Sequence, residues 1–323
     1  MDNTNNNNNK NSILPHLDDF LLSLQSNNYS PETVYNYERD LLVFDSFLQV
    51  DLGLKDFKEA SKQAVELYKA YLMSTDRKTA RKTQNKAILG SFSRNRHLSS
   101  LRSYLKYLID GGYQTPILPE NIKLIKTEKK IPKVAELGEL IRLIESPLKF
   151  EKNPTVAKRN HAMLEVLFAT GLRISELVNL KKNQIDREGK IFVLGKGKKE
   201  RFVYLTPRAI KFLKEYLAVR NDDSPHVFIS YRGKRAPTKD HHVSTNYLQE
   251  KIKKYREYLG INVPTSAHSL RHGFATYLAE EGASPAAIQI LLGHESLDTT
   301  TRYVHASQQF AKKTHHRFHP LKN

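Results

Sequence analysis

The segment LLGHESLDTTTRYVHAS (291–307) sets one phenol, Tyr303, nine residues after His294 and two before His305. An ordinary phenol has a pKa of about 10, so it attacks at neutral pH only where a neighbouring base takes its proton. Other segments supply the remaining parts of such a reaction. In ATGLRISELVNL (169–180), Gly171 marks a turn and Arg173 the start of a helix whose apolar face carries Leu172, Leu177 and Leu180. In HSLRH (268–272), His268 and Arg271 are three residues apart and share one face of a helix. LGKGKKERFVYL (194–205) holds Lys196 between two glycines, with Lys198 and Lys199 close behind. SPAAIQILLGH (284–294) reads as a capped helix with Ser284 as N-cap, Pro285 at the first helical position and Gly293 as a left-handed terminator, so that His294 projects from its end.

Taken singly, Arg173 reads as a surface arginine and His268 with Arg271 as a solvated or capping pair. Taken together, two guanidiniums, two imidazoles, a lysine and a phenol suit transesterification at a phosphodiester. Attack on phosphorus drives negative charge onto the non-bridging oxygens, where bidentate arginines can hold it. A neutral histidine can accept the phenolic proton, and a lysine can protonate the departing sugar oxygen. No cluster of three acidic residues at catalytic spacing argues for two-metal chemistry, so no metal and no cofactor is expected.

The charge balance agrees. The chain of 323 residues carries 52 Lys and Arg against 34 Asp and Glu, a formal net charge of +18. Residues 1–130 contribute only +4 of it, leaving +14 for residues 131–323. A field of that sign points to a polyanion, most often nucleic acid. The absence of cysteine excludes disulfides, thiolate metal sites and cysteine nucleophiles, and fits a reducing cytoplasm. No apolar run reaches the length of a membrane span, so no membrane partner is expected.

The elements that would position these residues fall into two units. Residues 1–12 read as a disordered Asn-rich leader. Residues 13–114 read as a small helical unit. Within it Ser30, Pro31 and Glu32 open a helix carrying Val34, Tyr37, Leu41 and Phe44 at helical spacing. Between residues 77 and 106 the chain has nine Lys or Arg and no acidic residue. The basic helix at 94–109 either offers Arg94, Arg96, Arg102 and Lys106 to phosphates for DNA binding or presents a solvated face, and the DGGY at 110–113 stops it. Residues 115–133, with three prolines and a basic run, read as a linker. From Val134 a second unit opens with a helix through Leu137, Leu140, Ile141 and Ile144, then a longer one from about Val156 to Phe168. KIFVLGKGKKERFVYL (190–205) reads as a β-hairpin, PHVFIS (225–230) as a possible further strand, and the chain from Lys239 onward as helical again. The fold class expected is mainly α with a small antiparallel β-sheet, in two domains.

ATGLRISEL, LGKGKKERFVYL, HSLRHGFATYLAEEGA and IQILLGHESLDTTTRYVH resemble, in order and spacing, the catalytic domain of the tyrosine site-specific recombinases, most closely the Xer branch. The resemblance covers nearly all of the chain from about residue 132, and through YSPETVYNYERDLLVF it extends more weakly to the family's core-binding domain. It implies a helical core-binding domain followed by a mixed α+β catalytic domain over 134–323. It implies Arg173 and Arg271 as phosphate-binding arginines, Lys196 as the hairpin lysine and Glu176 as a supporting acid. His268 and His294 match the two active-site histidine positions, and Tyr303 the nucleophile that forms a 3′-phosphotyrosine. Lys198 and Lys199 remain rival lysines and DNA-binding candidates. His272 and His305 fall at packing positions.

The activity so implied is site-specific recombination of double-stranded DNA through a Holliday junction, without ATP or metal, resolving chromosome or plasmid dimers. The expected assembly is a homotetramer on two sites, or a heterotetramer with a second recombinase, with a DNA translocase as possible activator. An integrase or resolvase of a mobile element would share the same motifs, and a catalytically silent DNA-binding regulator is a third reading. The segment 308–323, with Phe310 and Ala311 as a short apolar stripe, reads either as a solvated tail or, by the resemblance, as a subunit contact.

Overall fold

The computed structural model describes residues 12–74, 88–127, 134–195, 200–231 and 241–293. The chain divides into two compact units, residues 1–130 and 131–323.

The first unit is built of helices α1 (Leu17–Ser26), α2 (Pro31–Ser46), α3 (Lys62–Tyr71) and α4 (Ser91–Asp110). Ser30 begins α2 as its residue type predicts: its hydroxyl accepts the amide of Thr33 at 3.2 Å, and Pro31 at the first helical position lacks an amide to satisfy. Leu98, Leu101, Tyr104, Leu105 and Leu108 form the buried stripe of α4 and meet Leu41 and Phe44 of α2 in one core. The hydroxyl of Tyr104, too polar to be buried unpaired, donates to the Pro15 carbonyl at 2.5 Å. Ile117 and Ile122 are buried in the same core, and Asn95 exchanges hydrogen bonds with the backbone of Ile125 at 2.7 and 2.8 Å. The proline-rich stretch therefore packs, in its first part, as chain of this unit.

The second unit surrounds α6 (Pro154–Thr170), whose residues from Ala162 to Leu167 are buried without interruption. The helix lies inside, with α5 (Leu137–Phe150), α8 (Pro207–Leu217) and α10 (Ala267–Glu280) covering it, and its buried Glu165 is paired with His161 and with Arg208 of α8. Asn153 caps α6 by accepting the amides of Thr155 and Val156 at 2.9 and 3.1 Å. Gly171 ends it at φ +62°, and the short α7 (Ile174–Val178) follows. Strands β1 (Lys190–Leu194) and β2 (Glu200–Tyr204) pair antiparallel, with Ile191 opposite Val203 and Val193 opposite Arg201. Those four side chains share the buried face of the hairpin, while Phe192 and Phe202 pair on the other. Helices α9 (Thr245–Tyr258) and α11 (Pro285–Leu292) complete the described unit.

PHVFIS forms no strand among the described residues. His226 makes an isolated bridge to Lys181, Val227 donates to the Leu180 carbonyl at 2.8 Å, and the Phe228 carbonyl accepts from Val243 at 3.1 Å. The segment changes partner within two residues, too soon for a ladder. Its apolar side chains fill the core nonetheless, with Val227 and Phe228 fully buried.

Gly171 joins two demands at one position. Its φ disfavours any Cβ, and a Cβ built there would lie 2.5 Å from the Phe274 ring and 3.1 Å from Leu292. Gly171→Ala should therefore lower stability by about 2–4 kcal/mol. Gly260 has nearly the same φ, +66°, but open space around it, so Gly260→Ala should cost only about 1–2 kcal/mol. Urea unfolding of the two variants separates them, and equal midpoints would show that the Phe274 contact yields without cost.

Candidate active site

Five elements meet at one place in the second unit. The C-terminus of α6 brings Gly171 and, just beyond it, Arg173 and Glu176 of α7. The first turns of α10 bring His268 and Arg271. Strand β2 brings Arg201, and α11 brings its last carbonyls.

Arg271 is 4% exposed and lies on the inner face of α10. Its Nη1 donates to the Gly171 carbonyl at 2.5 Å and its Nη2 to the Leu292 carbonyl at 2.6 Å. Both acceptors belong to helix C-termini, where unpaired carbonyls and the negative end of the macrodipole favour a cation. Arg173 is the N-cap of α7, extended at φ −69° and ψ 148°. Its Nη2 donates to the Gly293 carbonyl at 3.2 Å, and its guanidinium remains 37% exposed. Arg201, 5% exposed, directs Nε to the Leu291 carbonyl at 3.0 Å. Three consecutive carbonyls at the end of α11 are thus each held by a different arginine. Gly293, in the left-handed conformation at φ +63°, makes this end possible, since it turns the chain out of the helix.

Glu176 is the counter-charge. Its Oε1 accepts from Nη1 of Arg201 at 2.9 Å and from Nη1 of Arg173 at 3.0 Å. Its Oε2 accepts from Nη2 of Arg201 at 2.6 Å and from the backbone amide of Arg173 at 2.8 Å. This last bond is one half of a capping box, with the acid at the third helical position reaching back to the N-cap amide. All four acceptor positions of the carboxylate are filled. Burial alone would raise its pKa, but the Arg201 and Arg173 bonds outweigh that and hold it below the usual range.

His268 is on the same face of α10 as Arg271 and keeps an exposed edge. Partial burial, then the guanidiniums of Arg271 and Arg173, depress its pKa below the ordinary 6.5. The imidazole is therefore neutral at pH 7 and able to accept a proton. Among the described residues, no group of three or more His, Asp or Glu is placed to hold a metal ion.

Of the residues singled out in the sequence, Arg173, Glu176, His268 and Arg271 meet here. Lys196, Lys198, Lys199, His294 and Tyr303 lie outside the described residues, as do His305 and the segment 308–323. Arg201 is the residue that sequence reasoning missed. The signal was present: in ERFVY it occupies the same phase as Val203, so an arginine falls on the hairpin's core-facing side and demands a buried partner.

On α4, the four basic candidates are not equivalent. Arg102 and Lys106, one helical turn apart, are exposed. Arg94 is half-buried, and Arg96 donates from Nη1 to the buried Asp40 at 2.7 Å, a carboxylate that Ser100 also bonds at 3.1 Å. Among the described residues, no helix is long and apolar enough to cross a membrane.

Residues 139–309 match the model of the phage integrase family, and residues 17–112 match that of the phage integrase N-terminal SAM-like domain. The chain is 33% identical over 305 residues to tyrosine recombinase XerC of Lactobacillus leichmannii, covering 91% of this chain and 95% of that protein. It is 33% identical over 322 residues to tyrosine recombinase XerC of Myxococcus xanthus, covering 96% and 99%. Among solved structures, the XerH site-specific recombinase bound to palindromic difH substrate matches with a TM-score of 0.67 at 21% identity, over 93% of this chain and 83% of that one. A lambda integrase dimer bound to a COC′ core site matches with a TM-score of 0.67 at 16% identity, over 92% and 79%. At these identities the two structures speak for the fold.

The chain belongs to the phage integrase family as a tyrosine recombinase of Xer type, an enzyme that cuts and rejoins DNA.

The depressed His268 pKa has a consequence for acid stability. A base whose folded pKa lies below its unfolded value carries fewer protons when folded, so stability is full above the unfolded value of 6.5 and falls as pH drops below it toward the folded pKa. Ring-proton NMR should place the His268 midpoint below 6.5, and Arg173→Met should move it up by removing one of the two guanidiniums. A midpoint unmoved by that substitution would remove Arg173 as a cause.

Proposed function

We propose that this recombinase resolves chromosome or plasmid dimers by exchanging strands at a specific double-stranded DNA site. It does so as a homotetramer on two sites, or as a heterotetramer with a second recombinase, passing through a Holliday junction. The observation that carries the chemistry is the convergence of Arg173, His268 and Arg271 at the carbonyl end of α11, from which the chain runs on to His294 and Tyr303.

In this reading the Tyr303 oxygen attacks the scissile phosphorus, forming a phosphotyrosine bond as the bond from phosphorus to the 5′ oxygen breaks. Neutral His268 takes the phenolic proton, and Lys196 gives a proton to the departing 5′ oxygen. Arg173 and Arg271, with His294, hold the charge that grows on the non-bridging oxygens. Arg271 suits this because its bonds to Gly171 and Leu292 fix its plane before DNA arrives, so little reorganisation remains. The ester bond is exchanged rather than hydrolysed, and the 5′ hydroxyl of another strand reverses the step; no ATP is consumed.

Arg102 and Lys106, exposed on α4, together with Lys198 and Lys199 of the hairpin turn, contact DNA phosphates. Arg94 and Arg96 support that surface, with Arg96 held by Asp40. The excess positive charge adds sequence-independent affinity that weakens with salt. The compartment is that of chromosomal DNA, the cytoplasm, and a DNA translocase is the candidate activator. The relatives named XerC, matched over nearly their whole length, support the dimer-resolving role over that of a mobile-element integrase.

Tyr303→Phe removes one oxygen and little else. On nicked site DNA the variant should bind as the parent does and form no covalent protein–DNA adduct on denaturing gels. An adduct that persists would move the nucleophile to another residue.

A further inference from the structure

Arg201 stands outside the chemistry just described, yet its guanidinium is buried and held from all three of its nitrogens. It leaves strand β2 on the core-facing side, is 5% exposed, and spends three of its five N–H donors within the protein. Two go to Glu176 as a parallel fork, at 2.9 and 2.6 Å, and one to the Leu291 carbonyl at 3.0 Å. Glu176 in turn binds Arg173 twice, through its guanidinium and its backbone amide.

We infer that Arg201 is a positioning residue for strand cleavage: through Glu176 it sets the guanidinium of Arg173, tying that group to the hairpin strand that follows Lys196. The inference rests on the proposed role of Arg173 as a phosphate-binding arginine.

The physical argument is one of degrees of freedom. Arg173 is more than a third exposed, and its long side chain has many rotamers in water. Its side-chain tethers are the Glu176 carboxylate and the Gly293 carbonyl. A carboxylate held only by Arg173 would turn with it. Held as a fork by Arg201, which is itself pinned to α11 through Leu291, the carboxylate plane is fixed, and Arg173 inherits that orientation. A lysine at 201 could reach Glu176 or the Leu291 carbonyl as a point charge, but could not form the fork.

Arg201→Lys tests this through the charge that Arg173 is to hold. Single-turnover adduct formation is measured on nicked site DNA with an ordinary scissile phosphate, and again with a methylphosphonate, whose non-bridging methyl replaces a charged oxygen. Expected on the phosphate is a loss on the order of 100-fold with DNA binding retained, the scale set by misplacing a group by about an ångström. On the neutral methylphosphonate the gap to the parent should shrink by about tenfold or more, because less charge needs to be held. A defect equal on both substrates would overturn the inference and make Arg201 a purely structural residue, as would cleavage at the parental rate. If Arg201→Lys does not fold, judged by its thermal transition, Glu176→Gln carries the same comparison, since it too breaks the fork. Arg173→Lys runs in parallel: if it cleaves like the parent, the role of Arg173 itself fails, whereas a sensitive Arg173 beside an insensitive Arg201 sinks only the inference.

Discussion

A guanidinium keeps its charge when it leaves water, so a buried arginine must find acceptors for it or the fold cannot form. Arg271 meets that constraint by drawing together two helix ends, the carbonyl of Gly171 after α6 and that of Leu292 at the end of α11. Neither carbonyl has a partner within its own helix, and each would otherwise be left to solvent. The central α6, the helix α10 that carries the arginine, and α11 are thereby fixed at one point. Arg173 and Arg201 take the adjacent carbonyls, and Glu176 offsets their charge. The site is a consequence of how helix termini are satisfied.

The same device recurs, on its own terms, in the first unit. Asp40 of α2 is buried in an otherwise apolar helix contact, and α4 answers it with Arg96 and Ser100. Burial raises the pKa of this carboxyl, and Arg96 and Ser100 oppose the rise. One basic residue of α4 is thus committed inward, while Arg102 and Lys106 stay on the solvent side. A run of like charges in a sequence is therefore not a uniform surface. Each charge must be assigned by the phase of its helix.

That phase explains what could be read without coordinates. The caps of α2 and α11, the hairpin with its buried and exposed faces, and the shared face of His268 and Arg271 all follow from local spacing, and the structure agrees with each. The four motifs, in order, gave the family through resemblance. What local spacing cannot carry is pairing across the chain. The Glu176–Arg201 fork spans 25 residues and the Arg271–Gly171 bond 100. Arg159 likewise donates to the Ile229 carbonyl and to the Tyr247 hydroxyl, 70 and 88 residues away. PHVFIS was misread for a related reason. Its apolar residues do face the core, but its backbone divides its hydrogen bonds between the 180–182 segment and Val243, and periodicity does not reveal a change of partner.

Helix α11 has eight residues, too few to persist alone in water, and its apolar support is a small cluster in which Ile288 and Leu292 meet Ala275 and Ala279, with Phe274, Leu278 and Ala283 packed around them. Its outward Ile290 contributes nothing to that burial, being 68% exposed. Its seat on the domain therefore leans on polar contacts as well: the carbonyls of Leu291, Leu292 and Gly293 each take a different arginine, so the charges gathered at the site also dock the helix.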